Sequence, residues 1–228
     1  MTDLARRRPR AALTAVASLV AVLAASACIR GTLPARQYFR LSMPDSVAAA
    51  TRDSATVALA TGTLGIAEYV TPGIYAGGGI AYRIGESEYG TYPSREWAIP
   101  LGQMLGVLTE GVLRRAPLTA SPAIFNPPSL RSQTYVWRGT VREFEEVDRG
   151  RAVSAAVRID ASLVRSSDDS VVWSGSARRE GAVPAPTMDA VVGTLSSLAT
   201  ETITALVAEA DSALRRQAPS AASARGHE

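Results

Sequence analysis

A long alternation of apolar residues late in the chain limits the available folds most strongly. Between Val153 and Leu163 every second residue is apolar, while Arg158 and Asp160 fall on the opposite side of the alternation. Successive side chains of a β-strand point to opposite faces of a sheet, so the pattern predicts a long strand with one buried face. The chain must therefore build a sheet and cover one side of it.

The segments around this strand predict two partners for it. Tyr135, Trp137, Gly139 and Val141 share one face of a preceding strand, and Phe144 falls out of that alternation, which indicates a β-bulge. A turn at Asp168-Asp169-Ser170 leads into a return strand from Val171 to Ala177. Such tight connections favour antiparallel pairing.

Shorter strands are predicted in the first half of the chain. They are Gln37–Leu41, Thr56–Ala60, and a hairpin of Ile80–Ile84 with Tyr89–Tyr92 around Gly85-Glu86-Ser87. The glycines at 77–79 do not fit a dinucleotide-binding fingerprint, because Tyr82 stands where the third glycine belongs. This run is interpreted as a loop.

Two segments have the spacing of amphipathic helices. The first has Ser94 as its N-cap, Glu96 in its first turn and Arg114-Arg115 at its end, and its apolar stripe is Trp97, Leu101, Met104, Leu105, Leu108 and Val112. We interpret Trp97 as a core residue. The second helix begins near Thr187, and its apolar side is Val192, Leu195, Leu198, Thr202, Leu206 and Ala210. We expect an α+β fold over residues 37–216, with an antiparallel sheet and both helices on one face. Residues 217–228 are expected to be a disordered tail.

The N-terminus has the layout of a secretory signal. Four arginines (Arg6, Arg7, Arg8 and Arg10) precede an apolar run from Ala11 to Ala24, and Ala25-Ser26-Ala27 lead into the only cysteine, Cys28. The run is shorter than the roughly 20 residues of a membrane-spanning helix. We expect residues 1–27 to be a cleaved signal peptide. An ordinary signal that happens to contain a cysteine is the alternative, but a lone secreted cysteine then lacks a disulfide partner.

The residues before Cys28 resemble the lipobox of bacterial lipoproteins, with Ala25 where leucine is usual. The resemblance implies that Cys28 carries the acyl chains, palmitate among them, and that residues 28–36 form a lipidated tether. Ile29 follows the cysteine, where enterobacterial lipoproteins retained at the inner membrane have aspartate. By analogy, the protein is expected at the outer membrane, facing the periplasm.

Charge and composition exclude several function classes. Of the 24 arginines and 21 acidic residues, four arginines and one aspartate lie in the signal, which leaves 20 of each in the mature chain. Nucleic-acid binding therefore has no electrostatic support. The chain has no lysine, and its one histidine, His227, is the penultimate residue. Schiff-base, Ser-His-Asp and histidine-based zinc chemistry therefore lack their parts. We expect no enzyme, and we assign no catalytic, cofactor-binding or metal-binding residue.

A carboxylate-only hydrolase is the remaining catalytic alternative. The densest acids are Glu143, Glu145, Glu146 and Asp148, beside Arg142, Arg149 and Arg151. We interpret this run as a solvated hairpin tip.

Four stretches together resemble the ABC-type transport auxiliary lipoproteins (PqiC-like). They are Tyr38-Phe39-Arg40-Leu41, Ile80-Ala81-Tyr82-Arg83, Trp97-Ala98-Ile99-Pro100-Leu101, and Val141 to Leu163 with the helix that follows. Tyr69 to Gly73 is looser than the family pattern. The resemblance implies a non-enzymatic lipoprotein subunit of an MCE-type ABC lipid transport system, docking the MCE substrate-binding protein that works with the permease and ATPase. An envelope assembly or stability lipoprotein without lipid cargo is the alternative. The oligomeric state stays open, with a homo-oligomer among the arrangements.

Overall fold

The computed structural model describes residues 35–44, 62–150 and 152–217. The signal peptide, Cys28, the expected strand at Thr56–Ala60 and the tail from residue 218 lie outside this part. The strands are β1 (Gln37–Phe39), β2 (Leu64–Ile66), β3 (Gly79–Ile84), β4 (Glu88–Trp97), β5 (Ile124–Phe125), β6 (Tyr135–Asp148), β7 (Val153–Arg165) and β8 (Val171–Ala182). The helices are α1 (Leu101–Arg115) and α2 (Met188–Gln217), and a 3₁₀ helix spans Gly73–Ala76.

Strand β6 is the centre of the sheet. One of its edges pairs with β7 along its whole length, and β7 pairs with β8. The other edge is shared, because β2 pairs with its beginning and β3 with its end. The predicted bulge is confirmed as a register shift between Val141 and Glu143. The β6–β7–β8 meander and the β3–β4 hairpin are antiparallel, as expected.

The sheet as a whole is mixed, which corrects the expectation of an antiparallel one. Strand β1 runs parallel to β4, and β2 runs parallel to both β5 and β6. Strand β3 also runs parallel to β6. The expectation rested on tight turns, which constrain only strands adjacent in sequence. Long connections separate the two strands of each parallel pair. No local sequence pattern shows which of these strands pair.

Both helices pack on one face of the sheet, and the α+β expectation is confirmed. Their apolar stripes enclose a core that includes Trp137, Phe144, Ile159 and Leu163 from the strands. By length and composition α2 is the one helix in the described part that could cross a membrane, but 61% of its most apolar window is buried inside the protein. It is the main core helix.

The first helix begins later than predicted. Ser94 and Glu96 belong to β4, and the N-cap position of α1 is Pro100. Pairing with β1 extends β4 as far as Trp97, the register partner of Phe39. Trp97 is nevertheless buried, and its ring meets the Phe144 ring edge-on with centroids 5.9 Å apart. The prediction that Trp97 is a core residue is confirmed.

Candidate functional site

The acidic run of β6 is not a hairpin tip. Glu143, Glu145, Glu146 and Asp148 lie within the strand, and the side chain of Glu145 is only 1% exposed. The expectation of a solvated tip is therefore wrong for Glu145. The bulge at Val141/Glu143 sets the register that places Phe144 in the core and Glu145 on the face away from the helices. A buried carboxylate on this face requires partners.

Two side chains from distant parts of the chain satisfy Glu145. The Arg83 Nε donates to its Oε1 at 2.7 Å, and the Tyr75 hydroxyl donates to its Oε2. The Arg83 side chain is 9% exposed, and its Nη1 also donates to the Gly85 carbonyl oxygen at 3.0 Å. Burial and the bond to Glu145 raise the pKa of Tyr75 above its usual range, so its hydroxyl keeps its proton. We call Tyr75, Arg83 and Glu145 the buried ion-pair cluster.

The β3–β4 hairpin carries tyrosines and arginines on both of its faces. Tyr89 is the register partner of Arg83 and lies with it on the face away from α1 and α2. It is 52% exposed, and the Arg83 guanidinium carbon lies 5.9 Å from its ring centroid. Tyr82 and Tyr92 lie on the opposite face, with ring centroids 5.0 Å apart. We call the set Tyr82, Arg83, Tyr89, Tyr92 and Arg95 the Tyr–Arg hairpin.

Strand β6 also fixes the second face of this hairpin. The Tyr92 hydroxyl donates to Glu146 Oε1 at 2.9 Å, and the Arg95 guanidinium carbon lies 5.0 Å from the Tyr92 ring centroid. Burial and the bond to Glu146 raise the pKa of Tyr92. Adjacent acids of β6 thus hold the two faces, with Glu145 binding Arg83 and Glu146 binding Tyr92. Tyrosine and arginine are enriched at protein–protein hot spots, and rigid aromatic side chains lose little entropy on binding.

Ser154 with Glu180 is a serine–carboxylate pair of the described part that could be taken for a nucleophile and base. The Ser154 hydroxyl donates to Glu180 Oε1 at 2.9 Å. Arg149 and Arg178 also bind the Glu180 carboxylate, and the hydrogen bond from Arg149 is the main reason that its pKa falls to about 2. A carboxylate with so low a pKa is a poor proton acceptor near neutral pH. The pair belongs to a network of ion pairs on the polar face of the sheet.

The described residues contain neither a cluster that could bind a metal ion nor the lipid-attachment residue. Within residues 35–44, 62–150 and 152–217, no group of three His, Cys, Asp or Glu side chains could hold a metal ion. Cys28, the one site residue assigned from the sequence, and His227 lie outside the described residues.

Sequence reasoning missed both the ion-pair cluster and the assembly of the Tyr–Arg hairpin. Arg83 and Glu145 are 62 residues apart, and Tyr75 lies 70 residues from Glu145. One signal was present, since the strand alternation places Glu145 and Val147 on the same face of β6. A valine two positions after the acid favours burial of this end of the strand on that face.

Comparison with known proteins gives the fold. The protein XCC0632 from Xanthomonas campestris, described as family DUF330, aligns with a TM-score of 0.66 at 20% identity, covering 79% of this chain and 98% of that chain. A crystal structure of an uncharacterized protein aligns at 0.54 and 16% identity, covering 80% and 98%. The PelC dodecamer from Paraburkholderia phytofirmans aligns at 0.46 and 16% identity, covering 69% and 91%. No family model matches the chain, and no curated protein matches it. The fold is thus that of the XCC0632 protein.

Proposed function

We propose that this protein is a non-enzymatic lipoprotein subunit of an MCE-type ABC lipid transport system, anchored through Cys28 at the outer membrane and facing the periplasm. The observation that carries the proposal is the combination of a lipobox-like sequence at Cys28 with a body similar to the DUF330 protein over 98% of that chain. The four stretches that resemble the PqiC-like lipoproteins lie in the sheet and helices of the body. Two of them form β3 and the β4–α1 junction.

The anchor restricts where the body works. Gln37, the first residue of β1, is nine positions after Cys28, and a fully extended chain of that length spans about 30 Å. The body is therefore held close to the membrane surface. Anchoring by several acyl chains is firm, because each buried CH₂ contributes about 0.8 kcal/mol.

The face of the Tyr–Arg hairpin that exposes Tyr89 is the surface that we assign to docking of the MCE protein. It offers the exposed ring of Tyr89, and β6 holds Arg83 and Tyr92 of the same hairpin in fixed positions. Prearranged side chains reduce the entropy lost on association. Catalysis has less support, because the Ser154–Glu180 pair lacks a usable base.

Labelling and affinity capture test the proposal in order. Radiolabelled palmitate should enter the wild-type protein and not Cys28→Ala, whereas equal labelling of both overturns the anchor. The acylated protein, used as bait in detergent-solubilised envelopes, should recover an MCE protein. Tyr89→Ala should weaken that recovery, and Tyr38→Ala is the matched control, since Tyr38 is 60% exposed on a different strand. Repeated recovery of only outer-membrane assembly or peptidoglycan-linked proteins overturns the docking role.

A further inference from the structure

A groove with apolar walls lies where β1 meets α1. It has a volume of about 260 Å³ and is lined by Leu41, Ile99, Met104, Val107 and Leu108, with Arg40 as its charged lining residue. Ile99 and Val107 are 46% and 51% exposed, although both are aliphatic. The Leu41 amide lies 3.4 Å from the Met104 sulfur, which ties the β1 end of the groove to the helix. The groove thus combines three buried apolar residues, Leu41, Met104 and Leu108, with the two exposed aliphatic ones.

We propose that this groove binds part of one acyl chain of a membrane phospholipid, with the lipid phosphate held by Arg40. The inference rests on the proposed function, which places the protein at a membrane. It names a binding site for lipid that is separate from the Tyr–Arg hairpin, which lies on other strands.

Size and chemistry define the occupant. Small-molecule sites usually enclose about 300–1,000 Å³, so a groove of about 260 Å³ suits one flexible apolar chain better than a whole lipid. Met104 contributes an adaptable thioether to the wall, suited to a chain without a fixed shape. Among the described residues no carboxylate forms an ion pair with Arg40, whereas nearby Arg36 pairs with Glu96 at 3.3 Å. A guanidinium beside an apolar groove matches a phosphate attached to an acyl chain.

Position along the chain supports a source in the bilayer. Arg40 is twelve residues after Cys28, so the groove can lie no more than about 45 Å from the anchored residue. A groove held near the membrane surface can accept an acyl chain that leaves the bilayer. Phospholipid is therefore the occupant, and the protein's own acyl chain is the competing source that the experiment must separate.

Photolabelling of the full acylated protein tests the site. The protein is placed in vesicles of phosphatidylethanolamine and phosphatidylglycerol that contain phosphatidylethanolamine with a diazirine at the end of one acyl chain. Because the chain has no lysine, cleavage after arginine releases residues 96–114 as one peptide that contains Ile99, Met104 and Val107. This peptide should carry the label, because an acyl chain in the groove lies against Ile99, Met104 and Val107.

Matched variants identify the groove. Val107→Glu should lower labelling about tenfold, because a carboxylate beside an acyl chain is poorly solvated. Val171→Glu should leave it unchanged, since Val171 is 62% exposed on β8 away from the groove. Arg40→Gln should lower labelling several-fold with the phospholipid probe, but not with a diacylglycerol probe that lacks phosphate.

Two results overturn the proposal. One is labelling of the 96–114 peptide that does not fall in Val107→Glu. The other is labelling only when the photoreactive fatty acid is incorporated at Cys28 and the vesicle lipids are unlabelled, which identifies the protein's own anchor as the occupant. Either result leaves the proposed function standing if an MCE protein is still recovered by the bait. Loss of that recovery, with acyl labelling intact, affects the docking role alone.

Discussion

Two buried clusters, each containing a tyrosine, lie on opposite sides of the sheet and differ in charge. On the helix side, the Tyr69 hydroxyl accepts from Trp137 Nε1 at 3.0 Å and lies 2.7 Å from the Thr109 hydroxyl oxygen. On the other side, Tyr75 donates to the Glu145 carboxylate that also binds Arg83. The first cluster is neutral and joins β6 to α1, whereas the second is ionic and joins β6 to β3 and the 3₁₀ helix.

The difference shows how this sheet is stabilised on the face away from α1 and α2. The neutral cluster lies in a packed core, where the Tyr69 ring fits against β6 only because residue 139 is glycine; a Cβ there would lie 2.1 Å from the ring. Burial raises the pKa of Tyr69 to about 12, so the cluster stays neutral. In the ionic cluster, Arg83 and Tyr75 instead pair with the Glu145 carboxylate, since an unpaired buried charge is costly. The predictions below compare the two clusters by removing one interaction at a time.

Removing the arginine from the ionic cluster should give the largest loss. Arg83→Met keeps an apolar stem but leaves the Glu145 carboxylate buried without its cation, which should lower the free energy of unfolding by about 3–5 kcal/mol in urea denaturation. The double variant Arg83→Met with Glu145→Met removes both charges and should recover most of the lost stability.

The exposed ion pair of Arg178 with Glu143, in which Arg178 also binds Glu180, is the control for that cycle. Its side chains are 42% and 25% exposed, so Arg178→Met should cost less than about 1 kcal/mol. Equal losses for Arg83→Met and Arg178→Met would show that burial of the first pair adds nothing.

Truncating an uncharged core side chain on the helix side should lower the free energy of unfolding by a similar amount. Trp97→Ala removes a ring that packs on Phe144, and we expect a loss of about 3–5 kcal/mol. Trp97→Phe should cost less, since it keeps part of the ring contact. Unchanged melting of Trp97→Ala with loss of transport would instead make Trp97 a functional surface residue.

The hydroxyl of the neutral cluster should contribute less. Tyr69→Phe leaves the buried Trp137 N–H without its acceptor, at a cost of about 1–3 kcal/mol in the same assay. The Thr109 hydroxyl retains its bond to the Leu105 carbonyl oxygen at 2.8 Å, so only one donor is left unpaired. A loss as large as that of Arg83→Met would mean that the two clusters do not differ in the way proposed.

The two sides also differ in how far the sequence alone predicts them. The alternation in β7 and the helical stripes of α1 and α2 correctly predicted the core, because one face of each element repeats a local period. Strand partners separated by long crossovers have no local pattern, so the parallel pairs of β6 were missed. Ser94 was a good N-cap by type, but pairing of β4 with β1 kept it in a strand. Glu145 was taken as solvated because its partners are distant in sequence. Cys28 is outside the described residues, and its acylation stays a prediction.

The smallest expected effect concerns Glu180, an acid on the polar face whose arginine partners are exposed. Its pKa falls from the ordinary 4.5 to about 2 in the folded protein, chiefly through the hydrogen bond from Arg149. A depressed folded pKa stabilises the protein above the unfolded value, and the contribution disappears as the pH falls from 4.5 towards 2. Because solvent screens this network, Glu180→Gln should cost no more than about 1 kcal/mol at pH 7. The difference in urea midpoint between wild type and Glu180→Gln should therefore shrink as the pH is lowered. Glu88→Gln is the control, since Glu88 is exposed on β4. A difference that grows as the pH is lowered would mean that the exposed network destabilises the fold, in contrast to the buried Arg83–Glu145 pair.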